Sequence, residues 1–221
     1  MTSVEPFEFE PEGGPGVYGF LHRPPGPARD GIALTHGAGS DCDAPLLVAL
    51  ATAFAERGVI ALRFDLPFRT ARRQGPPSPA SASRDREGLR QAVGAIRRLA
   101  PRGAFAGGHS YGGRQASMAL ADDPGLARAL LLLSYPLHPP GKAERTRSAH
   151  LPNLSIPTLF VHGTSDPFGA IAEIEAARAL IPERTGLLTV EAGHDLGRER
   201  AGSGRPALAG RIVSAFLALV G

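Results

Sequence analysis

Phe7-Glu8-Phe9-Glu10 alternates apolar and acidic residues one for one, the pattern of a half-buried strand at a sheet edge. Residues 17–21 follow the turn signals Gly13, Gly14 and Pro15 and predict a hairpin partner for it. The period then changes. Residues 31–35, 59–64, 103–107, 129–134, 157–162 and 186–191 are short, nearly continuous apolar runs, as strands covered on both faces must be. Between them, residues 46–57, 84–99, 114–121, 169–180 and 206–220 carry helical spacing. In the second of these helices, Leu89, Val93, Ile96 and Leu99 share one face. Gly58 and Pro101 end the first two helices. This rhythm predicts an α/β fold: a mostly parallel sheet, an N-terminal antiparallel hairpin, and helices on both faces. No internal repeat or linker divides the chain, so residues 1–221 are expected to form a single domain. In such sheets ligands bind at the carboxyl ends of the strands.

Composition narrows the class. Of 221 residues, 43% are hydrophobic and 20% charged, which suits a globular chain with a substantial core. A single cysteine, Cys42, excludes a disulfide framework and a cysteine zinc site, and it is read as a packing residue. The acidic, polar start has neither the basic flank nor the apolar run of a signal peptide. The longest apolar run, residues 129–137, is far too short to span a bilayer. A cytoplasmic protein without membrane partners is therefore expected. The net charge of +3 is carried by arginine, with Lys142 the only lysine, and it is densest over residues 69–102. That segment lacks interleaved aromatics and any nucleic-acid motif, so it reads as a solvated helix face rather than a nucleic-acid surface. The proline- and serine-rich residues 69–83 read as a surface excursion.

The stretch Gly108-His109-Ser110-Tyr111-Gly112 lies between a predicted strand and a predicted helix. That is the setting of a nucleophile elbow: flanking glycines permit a turn too tight for side chains, and the strained serine presents its hydroxyl above the sheet. A serine hydroxyl at neutral pH needs a base, and the base needs an orienting carboxylate. Asp166 follows the strand at 157–162, and His194 follows the last strand. Both belong on the same sheet edge, in the chain order Ser, Asp, His. Asp195 is too close in sequence to orient His194, and Glu191 lies on the strand itself. His138 and His162 are poorly placed as bases, and His109 is expected to point away. The loop Thr35-His36-Gly37-Ala38-Gly39-Ser40 offers backbone amides at an early strand end. Ala38 and Tyr111 are the expected oxyanion donors, with Gly37 as the neighbouring candidate. A phosphate cradle is excluded, since neither the Lys-Ser/Thr of a phosphate loop nor a Gly-x-Gly-x-x-Gly fingerprint is present.

Together these motifs resemble the α/β-hydrolase fold family over almost the whole chain. The combination LTHGAGSD, ALRFDLPFR, GGHSYGGR, SYPLHPPGK and LFVHGTSDPFG looks more narrowly like a dienelactone-hydrolase-like branch. That branch is similar to the hydrolase-like domains of a testis-expressed protein and of a chromatin NSL-complex subunit. The resemblance implies a serine hydrolase acting on an ester or thioester of a small acyl substrate, through Ser110, His194 and Asp166, without metal or cofactor. Dienelactone hydrolases proper carry cysteine where this chain has Ser110. Only residues 135–155 are available for a cap, enough for a loop and not a domain, so an open site is expected. Phe64, Phe68, Tyr135 and Phe168 are expected to line an acyl pocket; Asp65, Arg69 and Arg114 read as surface or helix residues. The alternative is a hydrolase-fold interaction module, as members of the resembled branch imply. The sequence leaves monomer and dimer equally open.

Overall fold

The computed structural model describes residues 1–197 and 204–221. Eight strands form one sheet: β1 (Ser3–Phe9), β2 (Val17–Arg23), β3 (Asp30–Thr35), β4 (Ile60–Phe64), β5 (Gly103–His109), β6 (Leu130–Leu133), β7 (Thr158–Gly163) and β8 (Thr185–Val190). Their spatial order is β1-β2-β4-β3-β5-β6-β7-β8. The hairpin β1–β2 and the pair β2–β4 are antiparallel, and all other pairs are parallel. The two periods seen in the sequence have this cause. β4, β6 and β7 are buried at every residue, while β1, the outermost strand, is mostly exposed. Pro6 is tolerated in β1 because an edge strand has one unpaired side.

Among the described residues, six helices accompany the sheet: α1 (Pro45–Glu56), α2 (Pro67–Ala71), α3 (Ala82–Leu99), α4 (Tyr111–Asp122), α5 (Ile171–Arg178) and α6 (Gly204–Val220). On one face, Leu89, Val93 and Ile96 of α3, Ala116 and Leu120 of α4 and Ile174 of α5 belong to one core cluster. On the other, Leu47, Leu50 and Phe54 of α1 meet Ile212, Val213 and Phe216 of α6. Phe216 binds this second layer, with its ring edge-on to both Phe54 (5.8 Å) and Phe105 (5.3 Å). Between β6 and β7 the chain forms loops and a single 3₁₀ turn, Leu151–Asn153, and no cap.

Two elements differ from the sequence reading. The helix expected from residue 114 begins at Tyr111, directly after Ser110. Gly112 and Gly113 lower helix propensity and hide this start, but no larger residue fits there. A Cβ at Gly113 would lie 2.6 Å from the Gly108 carbonyl oxygen. Residues 69–83 are no free excursion either: they include part of α2 and a 3₁₀ turn, Pro79–Ser81, that leads into α3. The arginine-rich face of α3 is paired in part, with Arg90 facing Glu87 and Asp122. Among the described residues, no helix is long and apolar enough to cross a membrane.

Burial sets the acid behaviour of the fold. His22, His109 and His150 are held down to about 4 from an ordinary value of 6.5, chiefly by burial. His36 and His162 are lowered for the same reason, and only His138, on the Pro139 carbonyl and beside Glu173, is raised. A histidine lowered in the folded state takes up its proton on unfolding at higher pH than before it. The unfolded chain therefore binds more protons between about pH 4 and 6.5, and stability falls as pH falls through that window. Calorimetry should show a melting temperature nearly level from pH 8 to 7 and clearly lower at pH 5, with net proton uptake on unfolding at pH 5.

Candidate active site

Ser110 lies between the end of β5 and the start of α4, with φ 50° and ψ −115°. This is a conformation an L-residue holds only where its surroundings enforce it. A Cβ at Gly108 would lie 2.6 Å from the Gly113 nitrogen, and one at Gly112 would lie 2.4 Å from the His36 carbonyl oxygen. Both glycines are therefore required by close backbone approach. Helix α4 fixes Ser110 from one side (Arg114 N–H to Ser110 C=O, 2.9 Å) and β6 from the other (Ser110 N–H to Leu133 C=O, 2.8 Å).

His194 and Asp166 reach this serine from the ends of β8 and β7. His194 Nε2 lies 2.8 Å from Ser110 Oγ. His194 Nδ1 lies 2.8 Å and 3.0 Å from the two carboxylate oxygens of Asp166. The Asp166 side chain is fully buried and also accepts the Phe168 amide at 2.9 Å. Burial pushes its carboxyl up, but the hydrogen bonds from His194 and the Phe168 amide outweigh burial and hold it below the usual range. His162 lies behind it at 3.6 Å, with Nε2 directed to the Gly169 carbonyl (2.8 Å). The Phe168 ring lies 4.3 Å from the His194 ring and limits its rotation. His109 is not the base, yet it does not turn away from the site: its Nε2 donates to the His194 backbone carbonyl at 2.8 Å. Asp195 accepts the Gly197 amide in its own turn.

The two expected oxyanion donors flank the same serine. Tyr111 is the first residue of α4, so its amide has no partner within the helix. The Gly37 carbonyl accepts from His36 Nδ1 (2.8 Å) and from the Ser40 amide (3.2 Å). In the trans peptide that follows, the Ala38 N–H must point the opposite way. The Leu66 amide donates to His36 Nε2 at 3.1 Å, so the imidazole proton sits on Nδ1, as the bond to Gly37 requires. Ala38, Ser110 and Tyr111 all face one cavity of about 530 Å³.

The wall of that cavity corrects the expected acyl pocket. Phe168 lines it, but Phe64, Phe68 and Tyr135 sit in the core instead. Phe68 packs against the rings of His36 (5.5 Å) and Tyr111 (5.7 Å), and the Tyr135 hydroxyl donates to the Arg147 carbonyl at 2.6 Å. The apolar wall is made of proline: Pro76, Pro77, Pro79 and Pro136. Arg114, expected as a helix residue, also lines the cavity. Arg69, expected at the surface, is only 7% exposed. Its guanidinium donates to the carbonyls of Ala38 and Ser40 (both 2.9 Å) and of Arg73 (2.6 Å) and Gly75 (3.3 Å). It thus ties the Ala38 loop to the chain that supplies the proline wall. Asp85, fully buried on α3, accepts the Phe68 amide (2.9 Å) and the Tyr111 hydroxyl (2.7 Å). Asp65, read as a surface residue, accepts the Cys42 amide at 2.7 Å. Burial pushes the Cys42 thiol up to about 12, which removes it as a thiolate nucleophile at neutral pH. Among the described residues, no three of His, Cys, Asp and Glu gather as metal ligands.

The chain matches the family model of the alpha/beta hydrolase domain over residues 28–217, and it belongs to that family. Solved structures of similar fold include a dienelactone hydrolase from Anabaena variabilis, with 22% identity, 98% of this chain and 99% of that one covered, and a TM-score of 0.72. The esterase domain of a Rhodothermus marinus protein shares 16% identity over 99% of this chain and 100% of its own, with a TM-score of 0.72. TT1662 from Thermus thermophilus shares 25% identity over 98% and 97%, with a TM-score of 0.67.

Arg69 makes a separable prediction. Arg69→Gln removes donors from several loop carbonyls and frees the Ala38 loop. Displacing the expected oxyanion donor Ala38 by about 1 Å should lower kcat/KM for a short ester by about 100-fold. Arg69→Lys should not rescue, because a single ammonium cannot span that fork of acceptors. Steady-state kinetics with a thermal melt on both variants checks this.

Proposed function

We propose that this protein is a serine hydrolase that cleaves an ester or thioester of a small acyl group. The observation that carries the reading is the unbroken series Ser110 Oγ, His194, Asp166, with contacts of 2.8 Å on both sides of the imidazole. His194 Nε2 takes the proton as Ser110 Oγ attacks the carbonyl carbon. The negative charge that develops on the carbonyl oxygen faces the amides of Ala38 and Tyr111. The tetrahedral species collapses with cleavage of the bond to the leaving alkoxide or thiolate, which takes the proton from His194. Water then attacks the acyl-serine with His194 as base, and Ser110 leaves with its proton restored. Asp166 keeps the imidazole proton on Nδ1 and stabilises the imidazolium of each step. None of these steps requires a metal or cofactor. The neighbour from Anabaena variabilis is titled a dienelactone hydrolase and that from Rhodothermus marinus an esterase domain, which accords with acyl chemistry.

The test is hydrolysis of short p-nitrophenyl esters, with labelling by a fluorophosphonate probe in parallel. Ser110→Ala should abolish labelling and lower kcat by about 10⁴-fold or more, and Asp166→Asn by about 10⁴-fold. Turnover that survives Ser110→Ala would overturn the assignment. A wild-type protein that neither labels nor turns over any ester would be an interaction module built on the hydrolase fold.

A further inference from the structure

The cavity beside Ser110 holds more positive charge than its own chain neutralises. Arg114 lies four residues after Ser110, one helical turn along α4, so the two side chains share a face. Its Nε is buried and has no hydrogen-bond partner. Gln115, fully buried in the same wall, accepts from Arg86 at Oε1 (3.2 Å), which leaves its buried Nε2 without a partner. Arg147 lines the cavity from the loop after β6, where its carbonyl is held by Tyr135. Its guanidinium donates to the Pro136 carbonyl at 3.2 Å. Among the described residues, neither Arg114 nor Arg147 forms an ion pair, and no acidic side chain lines the cavity. Burial, and then the charge of Arg114, lower the pKa of Arg147. Buried unpaired donors and facing cations are costly unless a ligand answers them.

We propose that this cavity binds an acyl group bearing its own carboxylate, so that the substrate is a monoester of a short dicarboxylic acid. This rests on the serine-hydrolase reading above. Guanidinium forks match a carboxylate in geometry and charge, and the Gln115 amide adds a neutral donor. The proposed oxyanion donors Ala38 and Tyr111 line this cavity beside Ser110, so the proposal seats the acyl chain in it and lets the alcohol depart past His194. One helical turn between Ser110 and Arg114 limits the spacer to a few carbons. The proline rings beside them supply an apolar wall for those methylenes.

The test compares monomethyl glutarate with dimethyl glutarate on the wild-type protein, by methanol release. The two differ at the distal end alone, where one carries a carboxylate and the other a neutral methyl ester. The monoester should be favoured in kcat/KM by about 10-fold or more, the worth of one charged hydrogen bond. O-acetylglycolate, which carries its carboxylate on the alcohol side, should be slower than monomethyl glutarate. Glutarate should inhibit competitively at concentrations where inorganic phosphate does not. In Arg147→Gln and in Arg114→Gln the ratio of monoester to diester should fall towards one, chiefly through KM for the monoester. The wild-type comparison stands even if a variant fails to fold. Equal rates on the two glutarates, preference for the diester, or faster O-acetylglycolate cleavage would overturn the proposal. Fluorophosphonate labelling of Ser110 separates the two levels. A labelled protein without anion preference loses only this inference, whereas an unlabelled one loses the hydrolase reading as well.

Discussion

The site depends on one backbone constraint, the passage of the chain from β5 into α4 through Ser110. Its positive φ costs roughly 1–3 kcal/mol and persists only because the surroundings enforce it. They do so by contact, with Gly108 against Gly113 and Gly112 against the His36 carbonyl. The second contact matters most. It presses the serine turn against the loop that carries Ala38, so the proposed nucleophile and both proposed oxyanion donors are located by the same few atoms. His36 works on both sides of that junction, through its carbonyl at Gly112 and its ring at Gly37. A larger residue at position 112 would therefore shift Ser110 and the proposed oxyanion donors together.

Around this junction the fold supplies rigidity with buried polar groups. Arg69 gathers carbonyls from two loops, and Asp85 gathers donors from α2, from Ser81 and from Tyr111. Such groups are tolerable in a core only when nearly all their hydrogen bonds are made. Here each one fastens a surface loop to the sheet edge. Residues 72–79 have no apolar side chain other than proline to anchor them. Proline limits their freedom before folding, and Arg69 holds them afterwards.

The sequence was legible where local chemistry and chain order coincide. Ser110, Asp166 and His194 each follow a strand, and strand ends meet at one edge in a parallel sheet, so their convergence follows from topology. Ala38 and Tyr111 were expected on the same ground, and both line the cavity beside Ser110. Arg69 and Asp85 were not, because a buried arginine and a surface arginine have the same sequence signature, and only long-range partners distinguish them. The aromatic expectation failed for a related reason. Phe64 and Tyr135 lie near strand ends, but strand ends also border the core, and large rings are the most favourable groups to bury there. The cavity wall went to proline, whose value as a stiff apolar surface is not visible in any periodicity. His109 was misjudged because strand alternation gives the direction of a side chain and not what it meets.

Charge is segregated across the proposed nucleophile. Asp166 lies buried behind His194, and the uncompensated guanidinium groups of Arg114 and Arg147 lie on the cavity side. In the proposed mechanism the serine proton moves towards the carboxylate side, while negative charge grows on the carbonyl oxygen between the amides and the arginines. Both displacements run with the fixed field rather than against it. Arg114 also bears on His150, whose protonation it opposes after burial does, so the ring stays neutral beside Ser117. A protein with no use for the site would gain by replacing one arginine with an apolar residue of similar volume, since unpaired buried donors destabilise. Their retention next to a strained serine is a cost in stability that an anionic acyl group would offset.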